Sequence, residues 1–217
     1  MKKNNVTELV FILDKSGSMA GLEADTVGGF NAMLERQKTG EGRVLVSTLL
    51  FDNESEVIHD RAEISEIPPM TREVYRVGGC TALYDAVGGA IHHIGNVHKY
   101  ARPEDVPTHT VFVITTDGME NASHHYDKRQ VRSMISRQQE RYGWEFIFLA
   151  ANINAEDAAK DIGICRERAV NYRQDAEGIE ACYMAMCKAI TTVRTAGDLE
   201  EGEWRRKLDE MIGEGKP

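Results

Sequence analysis

The chain has 217 residues, with 26 Lys+Arg against 35 Asp+Glu and a formal net charge of −9, which excludes a basic nucleic-acid binder on bulk charge. At 41% hydrophobic and 28% charged, with only 5 Pro, it has the composition of a folded globular protein rather than a disordered or collagen-like one. No window reaches the roughly 20 apolar residues of a membrane-spanning helix, and the start MKKNN shows no small-residue cleavage site, so the expectation is a chain neither inserted nor exported.

The first predicted element is the continuously apolar run 9–13, the signature of a strand covered on both faces in a parallel sheet. A helix follows over 23–37, with Val27, Phe30, Met33 and Leu34 at helical spacing and Gly40 as its stop. A second buried strand spans 44–51. The turn-like pair Asp52-Asn53 then leads to the β-favouring Glu56, Val57 and Ile58, a hairpin to an antiparallel edge strand. Residues 81–97 carry the cleanest helical stripe, through Leu83, Ala86, Val87, Ala90, Ile91 and Ile94. Gly88 and Gly89 each cost that helix about 1 kcal/mol relative to Ala.

A third strand over 111–115 precedes a helix over 127–142, closed by Gly143. A fourth over 146–150 precedes a short helix over 155–162, closed by Gly163. A weak strand over 168–172 leads into a helix striped by Ile179, Cys182, Tyr183, Met186, Ile190 and Val193. This alternation predicts an α/β fold: a doubly wound, mostly parallel six-stranded sheet with one antiparallel edge strand and helices on both faces. No repeat or linker interrupts the chain before about Gly197, giving a domain over 1–196 and a charged C-terminal extension over 197–217. In that extension Trp204, Leu208 and Met211 share one face of a helix, docked or frayed.

In an open parallel sheet, ligands collect outside the carboxyl ends of the strands where the winding reverses. The first strand ends in Asp14-Lys15-Ser16-Gly17-Ser18 and the strand at 111–115 ends in Thr116-Asp117-Gly118, so each delivers a carboxylate to that edge. Between them, Gly78-Gly79-Cys80-Thr81 places a hydroxyl at the start of the best helix. Two carboxylates and three hydroxyls form an oxygen-only donor set, suited to Mg²⁺ and, less closely, to Mn²⁺ or Ca²⁺. Ser16 and Ser18 can turn toward one ion if Gly17 lets the backbone bend sharply. The neutral hydroxyls leave the metal electrophilic toward one further oxygen.

Taken together, Asp14, Ser16 and Ser18 in a D-x-S-x-S pattern, Thr81 after Gly78-Gly79, and Thr116-Asp117-Gly118 resemble the metal-ion-dependent adhesion site (MIDAS) of von Willebrand factor type A (vWA) domains. The resemblance spans roughly residues 6–195. It implies that Ser16, Ser18 and Thr81 ligate the metal through their hydroxyls, that Asp14 and Asp117 act directly or through water, and that an Asp or Glu of a partner protein takes the open position. Met19, Gly79 and Gly118 are the expected partner-facing positions. Adhesive members of the family are extracellular; this chain is more similar to small stand-alone bacterial cytoplasmic vWA proteins. The function so implied is a metal-dependent protein-interaction module, with no role for nucleic acid or membrane. Two alternatives are a metal-dependent hydrolase or phosphatase and a purely structural metal.

Enzyme readings find little support in the residues. A haloacid-dehalogenase-type phosphotransferase needs an Asp where Ser16 stands, a hydrolase elbow needs Gly at position 16, and no G-x-x-x-x-G-K-[ST] loop occurs. No nucleophile has a matched base. His92 and His93 sit on the polar flank of a helix, whereas His124 and His125 could line the rim of the metal crevice. Cys80, Cys165, Cys182 and Cys187 form no C-x-x-C pair and are too sparse for a disulfide-stapled domain, which points to a reducing, cytoplasmic compartment. Cys80 beside Thr81 has the position of a redox sensor, set against the usual role of free Cys as a small hydrophobe.

Overall fold

A computed structural model describes residues 5–197, 199 and 202–214. Its strands are β1 (Val6–Asp14), β2 (Arg43–Phe51), β3 (Ser55–Glu63), β4 (His109–Thr116), β5 (Glu145–Ala150) and β6 (Ala169–Asn171). They form one sheet in the order β3-β2-β1-β4-β5-β6. Every neighbouring pair is parallel except β2 with β3. The helices are α1 (Glu23–Lys38), α2 (Leu83–Tyr100), α3 (Lys128–Tyr142), α4 (Ala155–Asp161), α5 (Ala176–Ala196) and α6 (Arg206–Glu214).

The period-2 alternation of strand side chains divides the apolar residues into two layers. Leu9, Phe11 and Leu13 of β1, with Val111 and Val113 of β4, face α1, α5 and α6. Val10 and Ile12, with Phe112 and Ile114, face α2, α3 and α4. Both faces are covered, so the central strands read as unbroken apolar runs. Each fully buried Leu, Ile or Phe contributes roughly 1.5–3 kcal/mol. Phe30 of α1 meets Phe11 edge-on at 5.4 Å, and Trp144 stacks on Phe112 at 5.2 Å.

Two features depart from the sequence reading. The edge strand runs the full length of β3 rather than three residues: it pairs with β2 from Phe51–Ser55 to Leu45–Glu63, with register shifts between Val46 and Leu49. Arg61 sits there at φ 49°, its N–H donating to Ser47 Oγ. Glu8, inside the apolar part of β1, is fully buried and is satisfied by Arg61 Nε at 2.6 Å and His98 Nε2 at 2.5 Å. A buried carboxylate is tolerated only with such partners.

In the C-terminal segment, Trp204, Leu208 and Met211 are buried in the same layer as α1 and α5. Arg205 pairs with Asp209 and donates to the carbonyls of Arg166 and Ala169 at the β6 edge. The remainder of the predicted extension, at 198, 200, 201 and 215–217, lies outside the described residues. Among the described residues no helix is long and apolar enough to cross a membrane.

With β1 flanked by β2 and β4, the winding reverses between β1 and β4, and the crevice opens at their carboxyl ends.

Candidate metal centre

Asp14 is the last residue of β1, and the chain then turns back on it: the Ser16 N–H donates to Asp14 Oδ1 at 2.7 Å. A 3₁₀ turn over Gly17–Met19 follows, presenting Ser16 and Ser18 on one side with their Oγ atoms 3.2 Å apart. This turn, rather than an unusual φ at Gly17, brings the two serines together. The neighbouring loop is tied to it through Gly17 N–H to Gly79 O at 3.1 Å and Gly78 N–H to Lys15 O at 2.9 Å. Gly79 has φ +75°, and a Cβ there would fall 2.2 Å from Asn53 Oδ1, the atom that accepts the Cys80 N–H at 2.8 Å.

From β4, Thr116 Oγ1 donates to Asp14 Oδ2 at 2.7 Å. Asp117, one residue on, accepts at Oδ1 from Ser18 Oγ at 2.7 Å and from Ser16 Oγ at 3.3 Å. Thr81 is buried in the loop before α2 rather than in its first turn, since the helix begins at Leu83 behind an uncapped Ala82. Its backbone is clasped by Asn121, and the first helical N–H groups of Tyr84 and Asp85 donate to Glu120 and Ser123. The Thr81 hydroxyl flanks Gly118: a Cβ on that glycine would sit 3.5 Å from Thr81 Oγ1 and 3.9 Å from Ser18 Oγ.

The five predicted ligand positions therefore converge, with Asp14 one layer behind the hydroxyls. Asp14 and Asp117 are 2% and 1% exposed. Burial pushes the Asp14 carboxyl up against the hydrogen bonds from Ser16 and Thr116, and the charge of Asp117 adds to the rise. Among the described residues no Lys or Arg pairs with either carboxylate; Lys15 reaches away to Glu56 at 3.3 Å and Asp52 at 3.6 Å. Two buried carboxylates without a cationic side chain, lined by neutral hydroxyl oxygens, fit a hard divalent ion. The described residues hold no cluster of three or more His, Cys, Asp or Glu, so hydroxyls must complete any such donor set.

Other predicted positions fall differently. Met19, expected on the open side, is 5% exposed and lines a cavity of about 10 Å³ with Tyr75, Tyr172 and Tyr183 beneath Asp14, because the 3₁₀ turn aims it inward while Ser18 faces out. The exposed methionine at the site is Met119, at 72%. Gly79 shapes the cradle, and Gly118 leaves room between two hydroxyls. His124 and His125 have exposed side chains, but their N–H groups, with that of Tyr126, cap the Asp85 carboxylate at 2.7–2.9 Å. All four cysteines are free, and Cys80 is exposed beside Thr81 rather than packed in the core.

Two residues escaped the sequence reading. Gln174, after β6, donates from Nε2 to Asp117 Oδ2 at 2.8 Å and to Ser18 O at 2.7 Å. Asn152, after β5, donates to Gln174 Oε1 at 2.6 Å. The one signal that marks them is their place just beyond the carboxyl ends of strands in the same sheet.

The architecture and this convergence have counterparts among solved structures. Proximal thread matrix protein 1 from the mussel byssus, in a form with a zinc-occupied MIDAS motif, superposes with a TM-score of 0.57 at 15% identity, covering 85% of this chain and 46% of that one. The fold is vWA-like. A second counterpart is the ArnB paralog VWA2 from Sulfolobus acidocaldarius, with a TM-score of 0.54 at 15% identity over 86% of this chain and 45% of that one. The chain thus spans about half the length of the vWA-like structures it matches, and at these identities the likeness is one of fold. No family model matches the sequence, and no curated protein does.

Proposed function

We propose that this chain is a metal-dependent protein-interaction module, in which Mg²⁺ held by Ser16, Ser18 and Thr81, with Asp14 and Asp117 behind or beside them, captures an Asp or Glu of a partner protein. The observation that carries the reading is the pair of carboxylates, 2% and 1% exposed, that face hydroxyls and, among the described residues, no cationic side chain. The ion supplies an electrophilic position for an incoming carboxylate, and this chain's residues fix where that position lies. All-oxygen donors favour Mg²⁺ or Mn²⁺ over softer ions. The mussel protein's zinc-occupied motif makes Zn²⁺ the comparison ion. Met119, two positions after Asp117 and exposed, is the candidate for an apolar contact with the partner.

The reading is of a binding module and not an enzyme. Ser16 and Ser18 donate to Asp117, and among the described residues neither hydroxyl has a histidine partner that would activate it as a nucleophile. Four free cysteines support a reducing, cytoplasmic setting.

Affinity capture from the source lysate tests this, with wild type beside Thr81→Ala and Asp117→Ala, in Mg²⁺ and in EDTA. A protein retained only by wild type in Mg²⁺ is the expected result. Equal capture by all three proteins, or capture that ignores EDTA, contradicts it. Turnover of phosphate esters abolished by Asp14→Ala would favour a hydrolase instead.

A further inference from the structure

We propose that Gln174 is a positioning residue for the metal centre, holding Asp117 and the Ser18 backbone in the arrangement that lets the serine hydroxyls face a cation. The inference rests on the metal reading above and concerns how this chain in particular builds that site. Gln174 Nε2 donates to Asp117 Oδ2 at 2.8 Å and to Ser18 O at 2.7 Å. Its Oε1 accepts from Asn152 Nδ2 at 2.6 Å, and the same Nδ2 lies 3.3 Å from the Asp117 carbonyl. These partners fix the amide orientation, since the end facing two acceptors must be the donor and the end facing Asn152 Nδ2 the acceptor.

The network joins four loops at the carboxyl edge of the sheet: those after β1, β4, β5 and β6. Asp117 has two oxygens, and Gln174 takes one while the Ser16 and Ser18 hydroxyls take the other. With Oδ2 occupied, Oδ1 is held toward the hydroxyls, whose protons point at the carboxylate and whose lone pairs are left toward the crevice. The amide is neutral, so it orients the carboxylate without cancelling the charge that attracts a cation. Lys or Arg at position 174 would cancel it. Asn152 adopts φ +57°, a left-handed conformation that Asn tolerates better than most residues, and this places its amide against Gln174. Residues behind metal ligands commonly change metal affinity by 10–100-fold when removed.

The test measures Mn²⁺ binding by the electron paramagnetic resonance signal of the free ion, on wild type, Gln174→Ala, Asn152→Ala, the double variant and Asp14→Asn, with melting curves in EDTA alongside. Gln174→Ala should raise the Mn²⁺ Kd about 10-fold or more, and Asn152→Ala should raise it less. Adding Asn152→Ala to Gln174→Ala should raise it by less than Asn152→Ala does alone, because the shorter of Asn152's two contacts is the one through Gln174. Melting in EDTA reads the stability cost of the lost hydrogen bonds separately, while the Mn²⁺ Kd, measured on folded protein, reads the positioning. A Gln174→Ala Kd within twofold of wild type overturns the proposal. So does a lowered EDTA melting temperature with an unchanged Kd. If Gln174→Ala does not fold, an Asn152→Ala Kd equal to wild type overturns it. Wild type binding Mn²⁺ no better than Asp14→Asn would overturn the metal reading itself, and the proposal with it.

Discussion

Asp14→Asn should change the sign of its effect on stability with the cation. The wild-type carboxyl is 2% exposed and pushed up by burial. A carboxyl raised in the folded state opposes folding once the pH exceeds its ordinary value near 3.8, so at pH 7 without metal the charged Asp14 is a cost. Asn is isosteric. Its oxygen can keep the Ser16 N–H at 2.7 Å, and its NH₂ can donate to the Thr116 hydroxyl, whose single proton then turns from position 14 to Gly118 O at 3.1 Å. What is lost is the contact from Asp117 N–H at 3.4 Å, which is weak, together with the charge.

In EDTA at pH 7 the variant should therefore melt at or above wild type. In Mg²⁺ at 100 times Kd, wild type gains about 2.7 kcal/mol. At roughly 2–4 °C per kcal/mol for a chain of this size, that is a rise of about 5–11 °C, and Asp14→Asn should show almost none of it. Differential scanning calorimetry in the two buffers reads this directly. A variant that melts well below wild type in EDTA, or that gains the same Mg²⁺ shift, refutes the assignment of Asp14 to a cation.

Other expectations concern the frame around the site. Gly79→Ala should destabilise by about 2 kcal/mol or more, from the left-handed φ of +75° and from displacing Asn53 off the Cys80 N–H, checked by urea unfolding. Asp85→Asn should lose stability at pH 7 that is measurable as a lower midpoint. Three N–H groups hold the Asp85 carboxyl down against the opposing pull of burial, so its stabilisation is present above the ordinary value of 3.8 and is lost as pH falls through its depressed folded value. The two proteins should accordingly converge in acid. Trp204→Ala, at a side chain 3% exposed, should cost about 3–5 kcal/mol. If Trp204 were only loosely seated, thermal unfolding would hardly change.

The parts of the fold that were legible are those whose burial is uniform. β1, β4 and β5 are covered on both faces, and each holds an unbroken apolar stretch, 9–13, 111–114 and 146–150, whereas β2 carries Ser47 and Thr48 inside its buried run. The convergence of the five positions was legible because their spacing places each at a strand end or loop beside the switch point. Contacts set by tertiary pairing were not. Glu8 lies just ahead of the predicted run 9–13, and its burial depends on Arg61 and His98, 53 and 90 positions away. The start of α2 is shifted by Glu120 and Ser123, which cap it from another loop. Met19 directly follows Ser18 and Met119 stands two positions after Asp117, and only the 3₁₀ turn decides that the first points inward. Gln174 lies 57 positions from Asp117, and nothing in its local pattern marks it.

The most direct measurement is a crystal structure grown with Mn²⁺, read from the anomalous signal of the ion. The account predicts one peak per chain within ligand distance of Ser16 Oγ, Ser18 Oγ and Thr81 Oγ1, reached also by Asp117 or its bound water. A peak elsewhere, or these hydroxyls without a peak at saturating Mn²⁺, would contradict it.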